Sequence, residues 1–466
     1  MIQVNENLNG ETRALAQDVA STVYERIPSA AVHEVKRRVV DILGIALSAS
    51  KTDSGLRLAQ YVLQQKTPGR ASLWGRKETT SAALATLANA SMIFNLELDD
   101  VHRTSHCHPA ATTIPPALAL AEEMGLGGKD VICAVIAGYE VENRVGNAVS
   151  PSIYLDRVFL PAATLGTLGA AGAAASLHRL DPGRFLGALG TAAYLTPVSQ
   201  YENYREGSSS KELCIGWAAA TGIHAVNLAC NGFEGPPSWL DGPLGFAKAA
   251  ADRYDLNRVV AGLGKEYQIL YAGMKPYACC RQHHTAIDAA LEIRERHAPA
   301  ADQIDRIVHR TFRIASRGNN RAPATVSAAK YSAPFSIATA LIAGQAWRDD
   351  YTLEKIADRR IMDLTAKVEI RADPELDKLY DEMWPSIVEV TMKNGETFRA
   401  RRDLPKGEPE MPLTDEEVIR KFMDLAGDAV PRQRAEEIYE TVWKLETLDD
   451  IKTLTGLLAP ADPARG

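Results

Sequence analysis

The chain is short of aromatic rings, which make up 6% of its 466 residues, short of cysteine, of which it has six, and short of positive charge, its formal net charge being −7. Each shortage excludes something. The cysteines, at 107, 133, 214, 230, 279 and 280, show no repeated C-x-x-C spacing, so they read as reduced thiols and a cytoplasmic location is expected. Cys279 and Cys280 are adjacent, and a disulfide between neighbours is strained. A negative balance argues against nucleic acid as a partner, because phosphate backbones demand a basic face. It leaves room for a small anion, since a few local cations can dominate one pocket. The sequence reads as lacking any uncharged run of 18 or more apolar residues, so no membrane span is expected. Met1 to Thr12 is polar and has no signal-peptide core. Repeats, low-complexity tracts and long charge runs are absent.

What is present is alanine in quantity, in a chain 46% apolar and 24% charged. That composition favours close-packed helices, and the length favours two domains. Ser29 opens a helix whose Val39, Ile42, Leu43 and Ile45 share one face. Thr80 to Phe94 is apolar all round, as a buried central helix should be. A helix over Pro116 to Met124 stops at Gly125-Leu126-Gly127-Gly128, and another runs from Lys129 to Val149. Leu165 to Ser176 is dense in small residues. With no strand before it and no acidic residue at the right distance after it, close helix packing is a better reading than a dinucleotide loop.

The texture changes at Asn257 to Tyr271. Strands are predicted at Ile304 to Ile314, Ala366 to Ile370 and Ile387 to Thr391, with a hairpin turn at Asn394-Gly395 before Thr397 to Ala400. Leu404 to Pro409 reads as a linker. Thr414-Asp415-Glu416-Glu417 caps a helix, and the pattern stays helical to Leu458. The predicted fold is mainly α: a large all-helical domain formed by both chain ends (1–266 with 405–466) and an inserted, smaller α+β lid domain (267–404).

Four segments carry chemistry. The first is Glu97-Leu98-Asp99-Asp100-Val101-His102-Arg103-Thr104-Ser105-His106-Cys107-His108-Pro109, with three carboxylates and three histidines. Such a cluster moves protons or holds a metal. The second runs from Ser208 through Lys211 to Ala219. The third runs from Lys275 through Cys280, Arg281 and His284 to Ala289. The fourth is Lys330-Tyr331-Ser332-Ala333-Pro334-Phe335-Ser336.

Together, and with Gly138-Tyr139-Glu140-Val141 and Asn231-Gly232-Phe233-Glu234-Gly235-Pro236, these motifs resemble the MmgE/PrpD family over nearly the whole chain. That family includes 2-methylcitrate dehydratases, cis-aconitate decarboxylases and iminodisuccinate epimerases. The resemblance implies a helical domain plus a lid, a homodimer, and no metal or organic cofactor. By position it implies catalytic roles for Asp99, Asp100, His108, Lys211, Lys275 and His284. Glu97 and Cys280 would line the pocket by the same matching; apart from the resemblance, Arg103 and Arg281 are read as candidates to bind substrate carboxylates bidentately, with His102 beside them. Two departures stand out. Leu160 occupies the place of a family histidine, and Phe335 the place of a tyrosine that the decarboxylases carry. Both remove a proton donor, and His102 or His106 could substitute, since the first motif is one residue longer than usual.

All three family reactions build negative charge beside a carboxylate. Fixed ammonium groups stabilise it, and a tuned histidine or carboxylate moves the proton. The expected activity is therefore a lyase acting on a small di- or tricarboxylic acid, first as a 2-methylcitrate dehydratase-like hydro-lyase. The alternatives are decarboxylation of the cis-aconitate type or epimerisation of the iminodisuccinate type. Rival classes are a metal hydrolase using His102, His106 and His108, a serine hydrolase using Ser208-x-x-Lys211, and a catalytically silent member of the fold.

Overall fold

The structure, a computed structural model, describes residues 10–460. The fold is mainly α. Five helices pack on one another at its centre: Ala82–Asn95, Pro109–Met124, Gly128–Val149, Pro161–Leu177 and Leu213–Cys230. Small residues are what let them approach. A methyl group added at Gly138 would lie 2.5 Å from Thr113 Cγ2 and 2.8 Å from the Gly169 carbonyl, and one at Gly222 would lie 2.6 Å from Ala170 Cβ. The Leu165 to Ser176 segment is thus the inside of a helix, as its composition indicates.

Ser29–Ala49 is buried almost throughout from Ala31 onward. Each fully buried leucine or isoleucine on it contributes about 1.5–3 kcal/mol. The C-terminal helix Asp415–Ala426 packs along it. That helix starts with a capping box: Thr414 Oγ1 accepts from the Glu417 N–H at 3.2 Å, and Glu417 Oε2 accepts from the Thr414 N–H at 2.9 Å. Inside the contact, Lys421 Nζ meets Asp41 Oδ1 at 2.7 Å. It also donates to the carbonyls of Leu98 at 2.7 Å and Lys275 at 2.9 Å. A residue of the last helices thereby holds the backbones of two of the four chemical segments.

A four-stranded sheet follows in sequence, ordered Val368–Ala372, Ile304–Thr311, Ser386–Met392, Thr397–Arg402. The first pair is parallel and the others antiparallel. The Asn394-Gly395 turn forms as expected: Gly395 takes φ 89, and the Met392 N–H donates to the Glu396 carbonyl at 2.8 Å. Helix His284–His297 covers the sheet and packs on Ala333–Ala343.

Four sequence expectations need correction. The helix expected from Pro116 starts at Pro109, because Asp100 Oδ1 accepts the Ala110 N–H at 2.9 Å and proline is at home at a helix's first position. The first long strand ends at Thr311, not Ile314. Leu404 to Pro409 is more than a linker, since Glu408 is fully buried and ion-paired. Finally, Ser209–Cys230 is, by length and composition, long and apolar enough to cross a membrane, and Leu213–Cys230 is uncharged over 18 residues. Half of it is buried inside the protein. Leu213, Trp217 and Leu228 stay exposed on its outer side.

Candidate active site

The first segment leaves the buried helix Ala82–Asn95 by a sharp turn. Lys330 Nζ donates to the Asn95 carbonyl at 2.8 Å, a cation at a helix C-terminus. Two residues on, Glu97 takes the left-handed φ of 57, and His106 takes φ 59. Each such non-glycine residue costs about 1–3 kcal/mol, and such conformations collect at functional sites. Between them, Val101–His102 pairs antiparallel with Ala272–Gly273, which brings the Lys275 segment alongside.

The side chains form one buried chain of charges. Glu97 Oε1 accepts from Lys211 Nζ at 2.6 Å and from the Tyr331 hydroxyl at 2.5 Å. Its Oε2 accepts from Lys275 Nζ at 3.1 Å, and Lys275 also reaches Asp99 Oδ1 at 3.2 Å. Asp99 Oδ2 lies 2.7 Å from His108 Nδ1. The Lys211 ammonium sits over the rings of Tyr331, Phe94 and Tyr204, at 4.7, 5.3 and 5.5 Å from their centroids. Burial opposes charge on Glu97, but Lys211, Lys275 and His108 outweigh it and hold the carboxyl well below the usual range. Asp99 is likewise held low, against burial, by Lys275 and His108. Lys275 is pushed up despite burial, by Asp99 and Glu97.

His108, Lys275 and Glu97 open onto a cavity of about 80 Å³ whose walls also include His106, Leu160, Cys280, Arg281 and the rings of Tyr154, Tyr201, Tyr204, Tyr331 and Trp384. Three larger hollows are present. One, of about 620 Å³, is walled by Arg13, Asp181 and Phe233, a second, of about 710 Å³, by Thr325, Lys330 and Arg348, and a third, of about 390 Å³, adjoins the site at Leu160 and is walled by Lys211 and Trp217; none of them contains a histidine. The acid–base groups, not the volume, mark the small one.

Several residues picked from the sequence stand outside this cavity. Asp100 receives the Ala110 N–H and the Tyr139 hydroxyl (2.6 Å), so it caps a helix and ties it to its neighbour. His284 sits behind Arg281: Nδ1 accepts from Arg281 Nη1 at 2.9 Å, and Nε2–H donates to the Cys279 carbonyl at 3.2 Å. With both nitrogens occupied and the ring fully buried, it holds Arg281 and does not line the cavity. Arg103 turns away to Glu408 (2.8 Å) and Glu410 (2.7 Å). Arg281 does line the cavity, but its Nε and Nη2 hold Glu408 at 3.1 and 2.7 Å. His102 is buried outside the cavity, where burial with Arg103 and His106 pushes its pKa down to about 3.

Cys280 lines the wall as a neutral thiol, burial pushing it up to about 12. Leu160 also lines the wall, whereas Phe335 is core, against Tyr351. Ser208 pairs with Ser210 Oγ at 2.8 Å while Lys211 faces Glu97, which dismantles the serine-hydrolase constellation. Among the described residues no three His, Cys, Asp or Glu side chains come together as a metal ligand set. The sequence reading missed Tyr331, Lys330, Lys421, Glu408 and the tyrosine walls. Lys330 and Tyr331 lay inside a quoted motif; the others carry no local signal, since they reach the site from distant segments.

A family model for the MmgE/PrpD N-terminal domain matches residues 13–258, and one for the C-terminal domain matches 277–446. The chain belongs to the MmgE/PrpD family. Among MmgE/PrpD relatives, a cis-aconitate decarboxylase of Aspergillus terreus is 25% identical over 97% of this chain and 96% of its own length. A cis-aconitate decarboxylase of Mus musculus is 25% identical over 97% of this chain and 94% of its own. The cis-aconitate decarboxylase-like protein oryM of Aspergillus oryzae is 26% identical over 93% and 94%.

Proposed function

We propose that this MmgE/PrpD protein is a lyase that removes carbon dioxide from a small polycarboxylic acid of the cis-aconitate kind. The observation that carries the reading is His108 on the cavity wall, backed by the buried Asp99. Asp99, kept ionised by Lys275, fixes the proton of His108 on Nδ1 and leaves Nε2, which has no protein partner among the described residues, for the substrate. In the reaction the bond to the departing carboxylate breaks. Its electron pair spreads into the adjacent conjugated system beside Lys275, and one proton is delivered to carbon. The relatives move the weight here from dehydration, which the sequence motifs put first.

Dehydration of the 2-methylcitrate kind is the second reading. Phe335 weighs toward it, since it stands where the decarboxylases carry a tyrosine, whereas Leu160, in the place of a family histidine, removes a proton donor from either reaction. There, His108 takes the proton beside the carboxylate and the hydroxyl leaves as water.

The reading includes a cytoplasmic homodimer that uses no cofactor, with residues 267–404 acting as a lid. All six cysteines are free, and Tyr194 (87% exposed) and Trp217 (54%) mark an apolar face that suits a second copy. Incubation with cis-aconitate, 2-methylcitrate, citrate and iminodisuccinate, followed by proton NMR and gas release, tests the function. Carbon dioxide from cis-aconitate supports it. An alkene formed from 2-methylcitrate without gas replaces it with the second reading. Activity lost to a strong chelator would remove the cofactor-free part, and light scattering reads the oligomer.

A further inference from the structure

The cavity contains a second imidazole that the His108–Asp99 pair does not use. His106 is on the wall, 8% exposed. Its ring lies between Tyr154 (centroids 5.7 Å apart, planes 24° apart) and Trp384 (5.6 Å, 15°), so its plane is fixed. The Tyr380 hydroxyl is 2.6 Å from Nε2, and Tyr380 is itself stacked on Phe312 at 5.0 Å. Burial keeps the Tyr380 phenol well above its usual pKa, so it holds its proton and donates. Nε2 then accepts, and the ring proton sits on Nδ1, which has no protein partner among the described residues. The left-handed backbone of His106, closed by its N–H to the His102 carbonyl at 2.9 Å, is what turns the ring inward.

We propose that His106, held by Tyr380, is a second acid–base catalyst of this cavity and the group that carries a proton in with the substrate. The inference rests on the lyase reading and names the acid it needs. The titratable groups facing His106 are Tyr380, Tyr154, His102, His108 and Asp381. Burial, with His108, lowers its pKa to about 4 against the opposing pull of Asp381, so the empty cavity holds it neutral. A neighbouring carboxylate raises an imidazole's pKa by about 1–3. A polycarboxylate entering the cavity therefore draws a proton onto His106. In the imidazolium, Nε2–H donates to the Tyr380 oxygen and Nδ1–H faces the substrate. As carbon dioxide leaves, the Nδ1–H bond breaks, a C–H bond forms with the electron pair of the broken C–C bond, and His106 returns to its neutral form. In a dehydration the same proton goes to the departing hydroxyl.

The test uses the full chain, the non-reacting probe propane-1,2,3-tricarboxylate, and His106→Asn and Tyr380→Phe variants. Calorimetry in two buffers of different ionisation enthalpy is expected to show wild type taking up about one proton more per probe bound than His106→Asn does. Probe binding by the variant shows that it is folded. On the substrate that wild type turns over, His106→Asn is expected to lose about a hundredfold or more in kcat, with KM within about threefold. Tyr380→Phe, a positioning change, is expected to lower kcat about tenfold and move one limb of the pH profile. If wild type is active and His106→Asn keeps its kcat, the inference is overturned and the lyase reading stands. If wild type attacks none of the acids, the lyase reading falls. Equal proton uptake by wild type and variant, or no probe binding by wild type, then overturns the inference as well.

Discussion

Lys211 and Lys275 place their ammonium groups on opposite oxygens of one carboxylate, at 2.6 and 3.1 Å from Glu97. Their positive charges are therefore spent first on each other's shared partner, and Lys275 alone opens onto the cavity. From the sequence, Lys211→Met reads as a change that stops turnover and leaves the fold intact. The geometry alters that expectation. Removing one partner of a buried pair costs about 3–5 kcal/mol, so Lys211→Met is expected to lose both activity and denaturation midpoint. Adding Glu97→Gln should return part of the stability and none of the activity. A single variant with an unshifted midpoint would show that the pair is not held as described.

Asp99→Asn replaces an ionised acceptor with an amide that cannot stabilise a charged His108 ring. The expected loss in kcat is about 10²–10⁴-fold, with KM changed far less. Steady-state kinetics on the identified substrate measure it, and a kcat within threefold of wild type would remove the dyad from the mechanism.

Glu142 is a carboxyl in the helical core, fully buried, with Thr112 Oγ1 donating to Oε2 at 2.5 Å. Burial pushes its pKa up to about 8. A raised carboxyl contributes its full stability below the unfolded value, about 4.3, and loses it as pH rises through about 8. Glu142→Gln imitates the protonated form. It should leave stability nearly unchanged at pH 4 and raise it by about 3 kcal/mol or more at pH 8. Denaturant melts at both pH values check the slope.

At the acid end the sign reverses. Burial lowers His309, whose Nε2 meets Ser386 Oγ at 2.9 Å, to about 3. Between the unfolded value of about 6.5 and that folded value, the unfolded chain binds a proton that the folded chain refuses. Stability should therefore fall with pH, by up to about 1.4 kcal/mol per pH unit for this group. His309→Gln is expected to flatten that fall below pH 6, and an unchanged slope would show that the ring titrates freely in the fold.

Much of the fold was legible because it is written locally. The 3.6-residue repeat from Val39 to Ile45, the apolar run ending at Phe94, the Asn394-Gly395 turn and the Thr414–Glu417 cap each contain their own reason. The site was legible as four segments but not as a geometry. Nothing near Asp100 says that its oxygens are taken by Ala110 and Tyr139 while those of Asp99 face Lys275 and His108. Nothing near His284 says that Arg281 stands between it and the cavity. The tyrosine walls come from 154, 201, 204 and 331, and chain folding alone brings them together.

Lys421 bonds to carbonyls at residues 98 and 275 and to Asp41. During synthesis the segments around residues 98 and 275 leave the ribosome long before the helix that splints them. A nascent chain that has emerged only to the end of the sheet carries every proton-moving group described above and still lacks the strut that sets them in register. Competence should arrive late and all at once, so that half-made molecules do not act on their substrate.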